Sequence, residues 1–177
     1  ILIGLVGSEM CIRDRVCTSK DADPDSIFRY VEFPERVNYV GRLDKDSTGL
    51  LLLTNDGDLA NEIQRSRNNH EKEYHVRVNT DITEDFIKKM SEGVEILDTV
   101  TKPCKVKKTG TRNFSIILTQ GLNRQIRRMC DALHVRVVHL KRVRIMNIRL
   151  GSLRPGEFRT LTRGEEQELR RLVQKRS

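Results

Sequence analysis

An α+β domain is the fold class this sequence predicts, on three observations. Short apolar runs of strand length or strand alternation (50–53, 72–78, 114–119) recur along the chain with turn residues between them. Helical periodicity is confined to a few short segments. The order of the two is irregular, without the repeating strand–helix–strand units of a parallel sheet. A chain of 177 residues fits one domain, here expected as two lobes over 16–177. With 37% hydrophobic residues, no Trp and only 5% aromatics, the core has to be built from Ile, Leu and Val.

Taken in order, residues 1–15 open with an apolar run too short for a membrane span or a signal segment, and no basic residues precede it. A cytoplasmic protein with no membrane partner is the expectation. Residues 16–40 are polar, with turn signals at Asp21-Ala22-Asp23-Pro24-Asp25 and Phe33-Pro34-Glu35. Residues 38–43 read as a short strand, and the continuous apolar run 50–53 as a buried one. Asn55-Asp56-Gly57-Asp58 is a turn and N-cap leading into a short helix around Leu59 and Ile63. Residues 72–78 (KEYHVRV) alternate as a strand. Thr83 caps an amphipathic helix that ends near Gly93. Strands are expected at 104–108 and 114–119.

Residues 121–133 (GLNRQIRRMCDAL) have the helical period. Ile126, Met129, Cys130 and Leu133 share one face, and Arg124, Arg127, Arg128 and Asp131 the other. Residues 136–150 are β-rich, Arg154-Pro155-Gly156-Glu157 is a turn, and 165–173 is a closing helix. No internal repeat or low-complexity tract is present.

Charge narrows the function. Lys and Arg number 33 against 25 Asp and Glu, a net +8, with pI near 9.6; such an excess favours a polyanionic partner, most simply nucleic acid. Residues 124–149 hold Arg124, Arg127, Arg128, Arg136, Lys141, Arg142, Arg144 and Arg149 against Asp131 alone, so most of the excess sits in one region. The four cysteines form no C-x-x-C pair and read as reduced thiols. Cys130, His134 and His139 have a loose resemblance to zinc spacing, but three ligands running from a helix into a strand read as ordinary packing; no metal is expected.

The chemistry-bearing stretch is Gly41-Arg42-Leu43-Asp44-Lys45-Asp46-Ser47-Thr48-Gly49. As a calcium loop opening at Asp44 it fails, because the position requiring a bidentate Glu is Asn55 and strands flank it. As an aspartyl phosphotransferase it lacks an acidic metal ligand after a buried strand, and Arg42 would compete with the metal. The remaining reading is a lone carboxylate, Asp44, kept ionised by nearby cations. Arg42, two residues away on an extended segment, projects to the same face.

These residues resemble those of a known family. Gly41-Arg42-Leu43-Asp44 with Ser47 and Gly49-Leu50 is similar to the catalytic motif of the RNA pseudouridine synthases. Lys72-Glu73-Tyr74 resembles the second element, its Tyr some thirty residues after the Asp. Gly121-Leu122-Asn123-Arg124-Gln125-Ile126-Arg127-Arg128-Met129 resembles the third. Its form is that of the branch acting on ribosomal RNA, which joins the A type for small-subunit RNA with the B, E and F types for large-subunit RNA; the F type is nearest. The resemblance covers about 16–165. It implies a mixed, mainly antiparallel sheet with flanking helices around a central RNA-binding cleft. It implies isomerisation of a uridine to pseudouridine by base flipping, with no cofactor. Asp44 would attack the uridine or its ribose, Tyr74 stack on the flipped base and serve in proton transfer, and Arg127 pair with Asp44. Arg42 would hold the flipped nucleotide out, and Ile126 pack beside the base. Lys72, Asn123, Arg124, Gln125, Arg128, Lys141, Arg142 and Arg144 complete the expected RNA-binding set.

The implied partner is a ribosomal RNA stem-loop, with tRNA as a second candidate, bound by a monomer. The competing class is a non-catalytic RNA-binding or ribosome-assembly module on the same fold. The segment 1–15 departs from the family pattern, which has K-P-x-G ahead of Cys17-Thr18, and is expected to be an artefact of gene model or sequencing. The small RNA-binding domain that commonly precedes the catalytic one has no room in this chain, so weakened substrate affinity is expected.

Overall fold

The computed structural model describes residues 2–7 (backbone only), 37–44, 46–64, 70–154 and 157–174. The turn signals expected within 16–36, and Pro155-Gly156, lie outside the described residues. Among the described residues, strands and helices follow one another as β1 (Leu2–Gly7), β2 (Asn38–Val40), β3 (Thr48–Thr54), α1 (Gly57–Gln64), β4 (Lys72–Val78), α2 (Glu84–Glu92), β5 (Glu95–Ile96), β6 (Thr99–Val100), β7 (Lys105–Gly110), β8 (Asn113–Leu118), α3 (Gln125–Ala132), β9 (Val137–Ile145), β10 (Ile148–Arg149), β11 (Phe158–Thr160) and α4 (Arg163–Gln174). Nine strands make one sheet in the order β11-β1-β3-β9-β4-β8-β7, with β2 also on β3 and β10 on β9. Every described pairing in it is antiparallel except β3 with β9. The α+β class and the mainly antiparallel sheet both hold. β5 and β6 form a separate small hairpin. No described helix is long and apolar enough to cross a membrane.

Strand β3 explains the division into two halves. Its apolar run is buried from Gly49 to Thr54, as expected of a strand covered on both faces. β1 runs along one edge from Gly49 to Thr54. The other edge is shared: β9 pairs only at Thr48 and Gly49, and β2 only at residues 52–54. Two cores lie on either side of this seam. One joins Leu50 and Leu52 to Leu59, Ala60 and Ile63 of α1, Ile145 and Ile148, and Leu169 and Val173 of α4. The other packs Val76, Phe114 and Ile116 of the sheet under Phe86 and Met90 of α2 and Ile126, Met129 and Cys130 of α3, with Phe86 and Phe114 edge to face at 5.6 Å.

Gly49 is where the backbone of β3 closely approaches that of β9. Its φ is +113°, and a Cβ there would lie 2.2 Å from the Arg142 carbonyl oxygen, so only Gly fits the seam. One expectation shifts. The helix foreseen from 121 starts at Gln125, because residues 121–124 form a loop that ends with Arg124 in the left-handed region at φ +47°. Thr83 does cap α2, its Oγ1 accepting from the Phe86 amide at 3.1 Å, and Gly93 ends it at φ +119°.

Candidate active site

The seam opens into a cleft of about 460 Å³, within the range that holds a small organic ligand. Residues 40–44 and Ser47 form one wall, Lys72 and Tyr74 of β4 and Arg142 of β9 the floor, and residues 118–126 the opposite wall. Tyr74 pairs with Ile116 of β8 and Arg142 of β9 and is half-buried beside the α2–α3 core. Period-two alternation puts Lys72 on its face. A bulge between Glu73 and Tyr74 breaks the register against β9 at this point, a feature that re-aims side chains at sites.

Asp44 sits in the loop ahead of β3, half-buried, and its backbone carbonyl accepts from the Ser47 amide at 2.9 Å to close a tight turn. Among the described residues its carboxylate has no hydrogen bond and no ion pair. That corrects two expectations: neither Arg127 nor Arg42 forms a contact pair with it. Arg127 is buried in α3, not on a solvated face, and its guanidinium donates to the backbone carbonyls of Asp46 and Val137. Burial, with Arg124 beside it, lowers its pKa, while Asp46, Asp44 and Asp131 oppose that shift. Arg127 therefore acts on Asp44 through its field and through the loop it holds, not through a salt bridge.

Arg142 also differs from the expected RNA contact. It is 3% exposed, with Nε donating to the Leu50 carbonyl at 2.7 Å and Nη1 to the Arg42 carbonyl at 3.0 Å. Leu50 lies in the stretch of β3 that neither β9 nor β2 pairs, so a side chain supplies the donor a neighbouring strand would have given. The clamp closes both ends of the loop carrying Asp44. Beside it, desolvation and the Arg142 charge push the Lys72 amine below the ordinary lysine range.

The other expected RNA contacts divide clearly. Arg42, Lys72, Asn123, Arg124, Gln125 and Ile126 line the cleft. Arg124 donates to the Asp46 carboxylate at 3.3 Å. Gln125 is buried; its Oε1 accepts from the Leu122 amide at 3.1 Å, and its Nε2 donates to Gln120 Oε1 at 3.4 Å, so it shapes the wall more than it reaches out. Arg128, Lys141 and Arg144 do not line the cleft. Arg128 is turned back onto Asn123, donating to its carbonyl at 3.1 Å and its Oδ1 at 3.0 Å. Arg144 is held by Glu73 at 2.8 Å and Glu71 at 3.1 Å. Lys141 pairs across to exposed His75, on the far side of the sheet from Arg142. The concentrated charge of 124–149 is thus not one surface track.

Asp46 was left outside the site by its sequence context. Here its carbonyl and its carboxylate are the two points by which Arg127 and Arg124 fix the Asp44 loop. His70 and Gln120 also line the cleft without any sequence signal, as single polar residues in loops. The zinc-like trio meets a physical obstacle: Cys130 is fully buried, and desolvation, with Asp131 adding to it, pushes its thiol up to about 12.

A family model described as RNA pseudouridylate synthase matches residues 16–132. The chain is 52% identical over 162 residues to the dual-specificity RNA pseudouridine synthase RluF of Escherichia coli (strain K12), covering 92% of this chain and 56% of that protein. It is 34% identical over 150 residues to ribosomal large subunit pseudouridine synthase B of Bacillus subtilis (strain 168), covering 81% and 62%. The fold matches a crystal structure of pseudouridylate synthase with a TM-score of 0.83 and 30% identity, over 97% of this chain and 73% of that one. The chain spans somewhat more than half the length of these curated relatives.

Proposed function

The chain belongs to the RNA pseudouridylate synthase family, and we propose that it isomerises a uridine to pseudouridine in a ribosomal RNA stem-loop, acting as a monomer in the cytoplasm. The observation that carries this reading is the placement of Asp44: a carboxylate without an ion-pair partner among the described residues, at the mouth of a cleft floored by Tyr74. Such a carboxylate is free to react, and the Arg127 charge behind its loop favours the ionised form.

The reaction breaks the N1–C1′ bond, turns the uracil, and joins C5 to C1′; the proton on C5 leaves and N1 gains one. No electrons are gained or lost overall. The target base is stacked in RNA, so it has to be extruded into the cleft before any of this can occur. Asp44 attacks the extruded nucleotide. Tyr74 stacks on the uracil, and its hydroxyl serves in the proton transfer by which the C5 proton leaves. Ile126 packs against the base edge, Arg42 holds the displaced backbone at the rim, and Lys72 and Arg124 meet the phosphates.

The test is tritium release from ribosomal RNA carrying 5-tritiated uridine, with tRNA as a parallel substrate. Wild type should release label and Asp44→Asn should be slower by at least about 10³-fold, as for removal of a nucleophile. Release from wild type no greater than from Asp44→Asn would defeat the isomerase reading and leave an RNA-binding module.

A further inference from the structure

We infer that the open face of the sheet, behind the cleft, is a second contact surface for the phosphate backbone of RNA; the inference rests on the RNA-modifying reading above. Cross-strand partners share a face of a sheet, and the registers define this one. Lys141 of β9 pairs with His75 of β4, His75 with Ser115 of β8, and Ser115 with Lys107 of β7. Two residues along β4, on the same face, Arg77 pairs with Asn113. Lys141, Lys107 and Arg77 are exposed, and among the described residues none of the three has an ion-pair partner. The inward partners of the same strands, Val76, Phe114 and Ile116, are buried in the core, so the face is distinct from the cleft.

Three arguments favour RNA as the occupant. Lysines on β7 alone would be ordinary protection of an edge strand, but Arg77 and Lys141 stand on the inner strands β4 and β9, where edge protection has no use for them. On this side Glu71 and Glu73 are both held by Arg144, which leaves one net negative charge against the three exposed cations, so the row stays positive. Strand spacing puts Lys141 and Lys107 about 14 Å apart, with Arg77 about 7 Å along from His75. The screening length is about 8–10 Å at 0.1–0.15 M salt, so Lys141 and Lys107 stand far enough apart to meet different phosphates, with Arg77 between them.

The test is fluorescence anisotropy of a structured ribosomal RNA fragment against the full chain in an Asp44→Asn background, over a salt series. The triple variant Arg77→Gln/Lys107→Gln/Lys141→Gln should flatten the slope of log affinity against log salt by about 2 to 3. Affinity at 0.1 M salt should fall about tenfold or more. A control of equal charge change, Lys88→Gln/Arg154→Gln/Arg163→Gln, removes exposed cations elsewhere and should keep the parent slope. Arg77→Lys/Lys107→Arg/Lys141→Arg should keep it too, which separates lost contacts from altered packing. An unchanged slope in the triple variant, or an equal flattening in the control, overturns the proposal. Tritium release by the parent enzyme is read on the same fragment. No release with the slope difference intact refutes the isomerase reading alone, whereas normal release with equal slopes refutes the surface alone.

Discussion

Gly49→Ala is the substitution with the most closely determined consequence. Its added Cβ would meet the Arg142 backbone at 2.2 Å from O, 2.6 Å from N and 2.9 Å from C. Backbone atoms cannot swing away, so β3 and β9 have to part by roughly 1 Å to reach ordinary contact distance. The parallel seam pairs at only two positions, Thr48 with Lys141 and Gly49 with Arg142, and has no reserve to absorb the shift. A displacement of that size also takes the Arg142 bond to the Leu50 carbonyl, now 2.7 Å, out of hydrogen-bonding range. A side chain at φ +113° costs about 1–3 kcal/mol, and losing a hydrogen bond to a charged group about 1.5–3 kcal/mol. The sum, about 2.5–6 kcal/mol, is a large part of the ~5–15 kcal/mol typical of a domain. Urea unfolding followed by circular dichroism should show the midpoint falling by about 1.3–3 M at a slope near 2 kcal/mol/M. Turnover on RNA should fall about 10²-fold, since a 1 Å displacement of reacting groups has that effect. Gly41→Ala is the internal control: φ is +76° with nothing within 4 Å of the added atom, so it should cost about 1 kcal/mol from strain alone. A Gly49→Ala protein within about 1 kcal/mol of wild type and near full activity would refute the close-approach argument.

Two further predictions concern arginines. Arg142→Met keeps an unbranched apolar stem but removes the guanidinium and leaves the Leu50 and Arg42 carbonyls without their donor, at about 1–3 kcal/mol each. Since the guanidinium positions the Asp44 loop, kcat should fall about 10²-fold with little change in KM; a raised KM with kcat intact would show that Arg142 binds RNA directly. At the far end, Arg159 holds Glu165 through two bonds of 2.7 Å, and that pairing, with the Thr162 amide, lowers the Glu165 pKa to about 2. A carboxyl depressed in the folded state stabilises above its unfolded value of 4.5, and that stabilisation is lost as pH falls towards 2. Glu165→Gln should therefore be less stable by about 1 kcal/mol at pH 7, after discounting for partial exposure. The gap should close between pH 4.5 and 2, as read by thermal melting; a constant gap would assign the effect to packing.

Much of this molecule was legible before any coordinates. The alternation of KEYHVRV fixed β4 to the residue, because a half-buried strand has to place its apolar side chains at every second position. Thr83 and Gly93 bounded α2, since capping chemistry is local. The short strands escaped for the opposite reason. β5, β6 and β11 are two or three residues long, and their pairing is set by partners, not by their own pattern. The start of α3 was misplaced because Arg124 adopts a left-handed conformation that sequence pattern does not signal.

The division at the site follows the same line. Asp44, Tyr74 and the stretch 121–129 were singled out in one dimension because they resemble a known family's motifs in order and spacing. The roles of the arginines were not. Arg127, Arg142 and Arg144 read alike as cations along one basic stretch, yet their partners, Asp46, Leu50 and Glu73, lie 81, 92 and 71 positions away. Burying a guanidinium is costly unless acceptors meet it, and only the folding of β3 against β9, and β9 against β4, brings those acceptors together. Residue type made Asp44 a candidate for the chemistry; the fold decided which cations are tied down and which stay exposed.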